Sequence, residues 1–70
     1  GINFSLPEGD RTQITVYDIN ARQVAVLQDG FLSAGHHNIP FNGDGLSSGV
    51  YFVRVRWKGT MQIGKFLYLK

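Results

Sequence analysis

The chain has 70 residues, seven Lys/Arg against five Asp/Glu, nine aromatics and no cysteine. Two halves of such a chain would each be too small to bury a core, so it is one domain, residues 1–70, held by packing without disulfides. A formal charge of +2 with no basic run interleaved with aromatics argues against nucleic acid as a partner, and no apolar run approaches the ~20 residues of a membrane-spanning helix.

Alternation with a period of two dominates, and no stretch keeps a 3.6-residue period, so the elements are strands. Ile2, Phe4 and Leu6 alternate until the turn-forming cluster Pro7-Glu8-Gly9-Asp10 stops the run. Thr12 to Asp18 forms a second strand, with Ile14 and Val16 on one face and Gln13, Thr15 and Tyr17 on the other. Asn20-Ala21-Arg22 connects it tightly to a third strand, Gln23 to Gln28. A loop is expected between Asp29-Gly30 and Ala34-Gly35, with Phe31 and Leu32 covering one end of the fold. His37, Ile39 and Phe41 then share one face, and His36, Asn38 and Pro40 the other. Pro40 has no N–H to donate, so this strand lies at an edge or ends there. Asn42-Gly43-Asp44-Gly45 tolerates positive φ and forms a turn.

The strongest strand follows. Tyr51, Val53, Val55 and Trp57 make its apolar face, while Arg54, Arg56 and Lys58 project from the other. Lys58-Gly59-Thr60 reverses the chain into a last strand. There Met61, Ile63, Leu67 and Leu69 share one face, and the more polar opposite face, Gln62, Gly64, Phe66, Tyr68 and Lys70, holds two aromatics. Short strands at this spacing predict an all-β domain, a small immunoglobulin-like antiparallel β-sandwich of six to seven strands. Without a Cys-Trp-Cys framework it is not of the antibody type.

Little here carries chemistry. His36 and His37 are adjacent on a strand, point to opposite faces and cannot chelate one metal together. Asn42 to Gly45 lacks the alternating oxygens and the bidentate carboxylate of a calcium loop. Glu8, Asp10, Asp18, Asp29 and Asp44 sit in or beside turns without an apolar pocket to raise a pKa. Ser5, Ser33, Ser47 and Ser48 have no nucleophile-elbow context. The residues predict no enzyme, no cofactor and no metal site. Arg54, Arg56 and Lys58 read either as a solvated face or as a docking patch for an acidic partner, to which Lys65 and Lys70 could add. Trp57 reads as buried; exposed beside Tyr17 it could instead stack on sugar rings.

Phe4-Ser-Leu-Pro7, Ile14-Thr-Val-Tyr-Asp18, Arg22-Gln-Val24, Gly35-His-His-Asn-Ile39, Phe41-Asn-Gly43, Leu46-Ser-Ser-Gly-Val-Tyr-Phe-Val53 and Lys65-Phe-Leu-Tyr-Leu-Lys70 occur in that order. The series resembles the C-terminal sorting domains of type IX secretion in Bacteroidota-like bacteria. It is also similar to the related immunoglobulin-like domain of flagellar hook-capping proteins. Ala21 departs from the family pattern, which usually has Gly after the Tyr-Asp pair, and the usual Asn-Pro lead-in to the first strand is not in the chain. With Gly1 in place of an initiating Met and a strand running to Lys70, the expectation is the C-terminal module of a larger protein.

The resemblance implies a non-catalytic sorting signal that directs an exported multidomain protein to the surface of a Gram-negative bacterium. Its partners would be the secretion machinery or neighbouring domains of the parent. Docking would use the basic residues above and the terminal strand, Lys65, Phe66, Leu67, Tyr68, Leu69 and Lys70. A spacer or assembly module of the hook-capping kind, and a carbohydrate-binding accessory module, are the alternatives.

Overall fold

A strand with alternating side chains has one face to bury, and six strands here do so by forming two sheets. The computed structural model describes residues 1–70: β1 Ile2–Leu6, β2 Asp10–Tyr17, β3 Gln23–Leu32, β4 Gly35–Ile39, β5 Gly49–Trp57 and β6 Thr60–Tyr68. β1 pairs with β4 as a ribbon, and the other strands form a sheet in the order β3-β2-β5-β6. Every pairing is antiparallel. The whole is a small immunoglobulin-like sandwich without helix.

Residues directly opposite on paired strands share a face. Val16 lies opposite Val53, Ile14 opposite Val55 and Thr12 opposite Trp57. Thr12, Ile14 and Val16 are fully buried. On β6 the same face carries Gln62, Gly64 and Phe66, opposite Val55, Val53 and Tyr51. This is the inner face, over which the β1–β4 ribbon lies with Leu6 buried and Phe4 stacked on His37 at 5.6 Å.

An aromatic cluster closes one end. Phe41 meets Phe66 and Tyr68 edge-on at 5.3 and 5.7 Å, and Tyr51 lies 6.0 and 6.2 Å from the same two rings. The Tyr51 hydroxyl donates to the Ser47 carbonyl at 2.7 Å, a tyrosine corner that ties the strand to the loop before it. Gly43 is buried beneath Tyr68, whose ring a Cβ would strike.

Three expectations are corrected. β3 does not stop at Gln28. Asp29, Gly30 and Phe31 stay in register with Gln13, Thr12 and Arg11, so pairing with β2 overrides the local turn signal of Asp29-Gly30, and Phe31 is exposed. β6 turns its more polar face inward, where Phe66 and Tyr68 are half-buried while Gln62 and Gly64 stay exposed. Met61, Ile63 and Leu67 point outward because Lys58 (φ 47) and Gly59 (φ 74) form a two-residue hairpin turn that sets Thr60 opposite Trp57 and fixes the parity. Lys58 thereby leaves the strand for the turn, and β6 ends at Tyr68, opposite Gly49 where β5 begins, so Leu69 and Lys70 lie beyond it.

Gly43→Ala forces the Tyr68 ring out of its place between Phe41 and Tyr51. It should cost about 1–3 kcal/mol, as overpacking does, read as a lower urea midpoint with unchanged m-value. An unchanged midpoint would show that the ring moves freely.

Candidate functional site

The β1–β4 ribbon lies over the inner face, so the broadest open surfaces are the outer face of the larger sheet and the β6 edge. By register the outer face of the larger sheet carries Phe31 and Val26 from β3, Tyr17 from β2, Val50 and Phe52 from β5, and Met61, Ile63 and Leu67 from β6. Six of these, all but Tyr17 and Phe52, are exposed large hydrophobics. An apolar sheet face of this extent is a feature of binding surfaces.

The charges are as unevenly placed. All five carboxylates precede residue 45, and the stretch after them carries Arg54, Arg56, Lys58, Lys65 and Lys70 with no acid. Three cations are paired: Arg11 with Asp29 at 2.5 Å, Arg22 with Asp18 at 3.0 Å, and Lys58 with Glu8 at 2.5 Å. Arg54, Arg56, Lys65 and Lys70 have no ion pair.

The nine residues singled out by sequence therefore divide. Arg54 and Arg56 lie on the outer face of β5, and Lys65 and Leu67 on the outer face of β6. Lys58 sits in the turn, its ammonium bonded to Glu8 and 5.7 Å from the Trp57 ring centre. Phe66 and Tyr68 point inward, into the aromatic cluster. Leu69 is exposed past the strand end, and the Lys70 N–H donates to Ser48 Oγ at 2.9 Å.

Arg54 is only partly solvated. It is half-buried, its guanidinium lies over the Tyr17 ring at 5.1 Å, and its Nε is sealed from solvent without a hydrogen-bond partner. Beside it Tyr17, Ile19, Phe52, Met61 and Ile63 line an open depression of about 470 Å³. The sequence pointed to Arg54, and to Tyr17 only as a neighbour for Trp57, without joining either to Ile19, Phe52, Met61 and Ile63. The signal was available in the alternation Val50, Phe52, Arg54, Arg56, which puts two apolar residues on the cationic face.

The depression is bounded by the Asp18–Arg22 turn. Asp18 Oδ1 accepts the Asn20 and Arg22 N–H groups, each at 2.9 Å, and Oδ2 accepts Arg22 Nε. The Arg22 N–H is the main reason the carboxyl titrates below its ordinary value of 3.8. Lys58 is shifted upward by its hydrogen bond to Glu8.

The other candidates are engaged separately. His36 Nδ1 lies 3.3 Å from Ser5 Oγ, and His37 Nε2 donates to the Ser33 carbonyl at 2.7 Å. Asn42 Oδ1 accepts the Asp44 N–H, so Asn42 to Gly45 is a side-chain-closed turn. Trp57 is half-buried on the inner side, its Nε1 donating to the Glu8 carbonyl at 3.1 Å. Tyr17 lies on the opposite face, opposite Phe52, so the two rings form no joint platform.

Residues 1–69 match the family model described as the secretion system C-terminal sorting domain. No curated protein and no solved structure matches the chain.

Two outcomes follow for the turn. Asp18 contributes stability in full above its ordinary value of 3.8, and loses it as pH falls through the lowered folded value. Asp18→Asn should therefore lower the urea midpoint at pH 7 and flatten the acid limb of the stability profile; an unchanged limb would remove Asp18 from the acid transition. Ala21, at φ 62, bears the strain of a left-handed residue with a Cβ. Ala21→Gly should raise stability by about 0.5–1 kcal/mol after the entropy of the freer unfolded chain; a fall in thermal midpoint would contradict this.

Proposed function

The chain belongs to the type IX secretion C-terminal sorting domain family, and on that premise we propose that it is a non-catalytic recognition module, carried at the C-terminus of an exported multidomain protein, that is read by the secretion machinery of a Gram-negative bacterium. The cargo it directs would reach the cell surface or the medium. The observation that carries this reading is the family match over residues 1–69.

The geometry supports recognition through β6. That strand has a neighbour, β5, on one side only, so its other edge presents unpaired backbone groups. Its residues from Thr60 to Lys65 are all exposed. A partner strand can add to such an edge by main-chain hydrogen bonds, with alternate side chains supplying specificity. A non-catalytic role is supported by the carboxylates: Glu8, Asp18 and Asp29 are held in surface ion pairs rather than poised in a cleft.

A reporter fused ahead of the chain in a type IX-competent host should appear at the surface. Removal of residues 65–70 should leave it in the periplasm. Because that truncation also deletes the inward Phe66 and Tyr68, Leu67→Glu with Leu69→Glu serves as a second variant that spares the aromatic cluster. It should reduce display at least fivefold with the fold intact by circular dichroism. Undiminished display of both variants would overturn recognition through the last strand.

A further inference from the structure

Resting on the reading of the chain as a recognition module, we propose that the outer face around Arg54 docks an acidic peptide segment of a partner protein. One apolar side chain of the segment fills the depression, and a neighbouring carboxylate pairs with Arg54.

Three features of the face specify this occupant. The first is charge. Arg54, Arg56 and Lys65 surround the depression, opposite Ile63, Met61 and Phe52 respectively, and none has an acid of its own. The one carboxylate at the rim, Asp18, is neutralised by Arg22 and two backbone N–H groups. The second is the state of Arg54. The guanidinium lies over the Tyr17 ring at 5.1 Å, and with Nε sealed from solvent it is the two Nη groups, unpaired within the chain, that face an incoming carboxylate. Arg meets a carboxylate as a planar fork, which makes a fixed Arg a selective carboxylate reader.

The third feature is shape. The apolar residues line an open, shallow depression of about 470 Å³, with Ile19, Met61 and Ile63 exposed around the half-buried Arg54. A shallow apolar site with a cation at its centre suits a short peptide that sets one apolar side chain beside one carboxylate. A second copy of the chain would bring Arg54, Arg56 and Lys65 against the same three cations, which like-charge repulsion opposes.

The test titrates the chain with the capped peptide Glu-Asp-Phe-Asp-Glu, followed by amide shifts in two-dimensional NMR. Saturable shifts confined to residues 17–21, 52–54 and 61–63 are expected, with the Trp57 indole signal unmoved. Arg54→Gln should weaken binding at least tenfold and Arg54→Lys by less, each checked for native shift dispersion. The charge-reversed peptide Lys-Arg-Phe-Arg-Lys, which needs no variant, should give no saturable shift. Absence of saturation with the acidic peptide, equal binding of the two peptides, or equal binding by Arg54→Gln would overturn the proposal. So would binding of phosphatidylglycerol vesicles with no response to the peptide, or self-association that masks the same amides. Display of the fused reporter is scored separately: peptide binding without display keeps this face and sinks the sorting role, whereas display without peptide binding sinks the face alone.

Discussion

Because Val16 lies opposite Val53 and Ile14 opposite Val55, every second residue of β2 and β5 is committed to one side of the larger sheet. These are the two strands with a neighbour on both sides, and β2 supplies the most deeply buried side chains, Ile14, Val16, Thr12 and Thr15. A one-residue slip there would turn Ile14 and Val16 outward and bring Arg54 and Gln13 into the core. The hairpin turn at Lys58-Gly59 passes the same parity to β6. What packs inside and what is left outside thus follow from one register.

That register explains which parts of the fold were legible. Ile2 to Leu6, the Ile14–Val16 face, the end of β4 before Pro40 and the Tyr51–Trp57 face could be read because local pattern and tertiary environment agree. The family pattern could be read for the same reason, since its residues mark turns and strand starts. β3 was harder. Asp29-Gly30 carries a turn signal, but the ladder with β2 continues across it, and an Asp29–Arg11 ion pair reinforces the extended form. Sequence shows propensity at such a site, and pairing decides it.

β6 is the more instructive case. Met61, Ile63, Leu67 and Leu69 outnumber Phe66 and Tyr68 as apolar residues, yet the two aromatics take the inner face with Phe41 and Tyr51. Burial by large rings and the parity of the turn outweigh a count of aliphatics. The candidate site was half legible for a related reason. Charge placement after residue 44 is visible in the chain itself. The depression beside Arg54 is not, because it joins residues from the Asp18–Arg22 turn, β5 and β6 that only the sheet brings together.

The two-stranded ribbon can cover only one face of a four-stranded sheet, so the other face stays bare whatever its composition. A bare face rich in Met, Ile, Leu and Phe invites edge-to-edge and face-to-face association. Arg54, Arg56 and Lys65 are spaced through it where they oppose contact between identical copies. The same three cations favour an acidic surface. Resistance to self-association and complementarity to an acidic partner therefore draw on the same side chains, and the Arg54 guanidinium, stacked over Tyr17 with its Nε sealed, is the one whose orientation the fold restricts. Solubility needs only a charge. The stacking over Tyr17 offsets part of what burial of Nε costs, and leaves the outer end of the guanidinium turned to the open face.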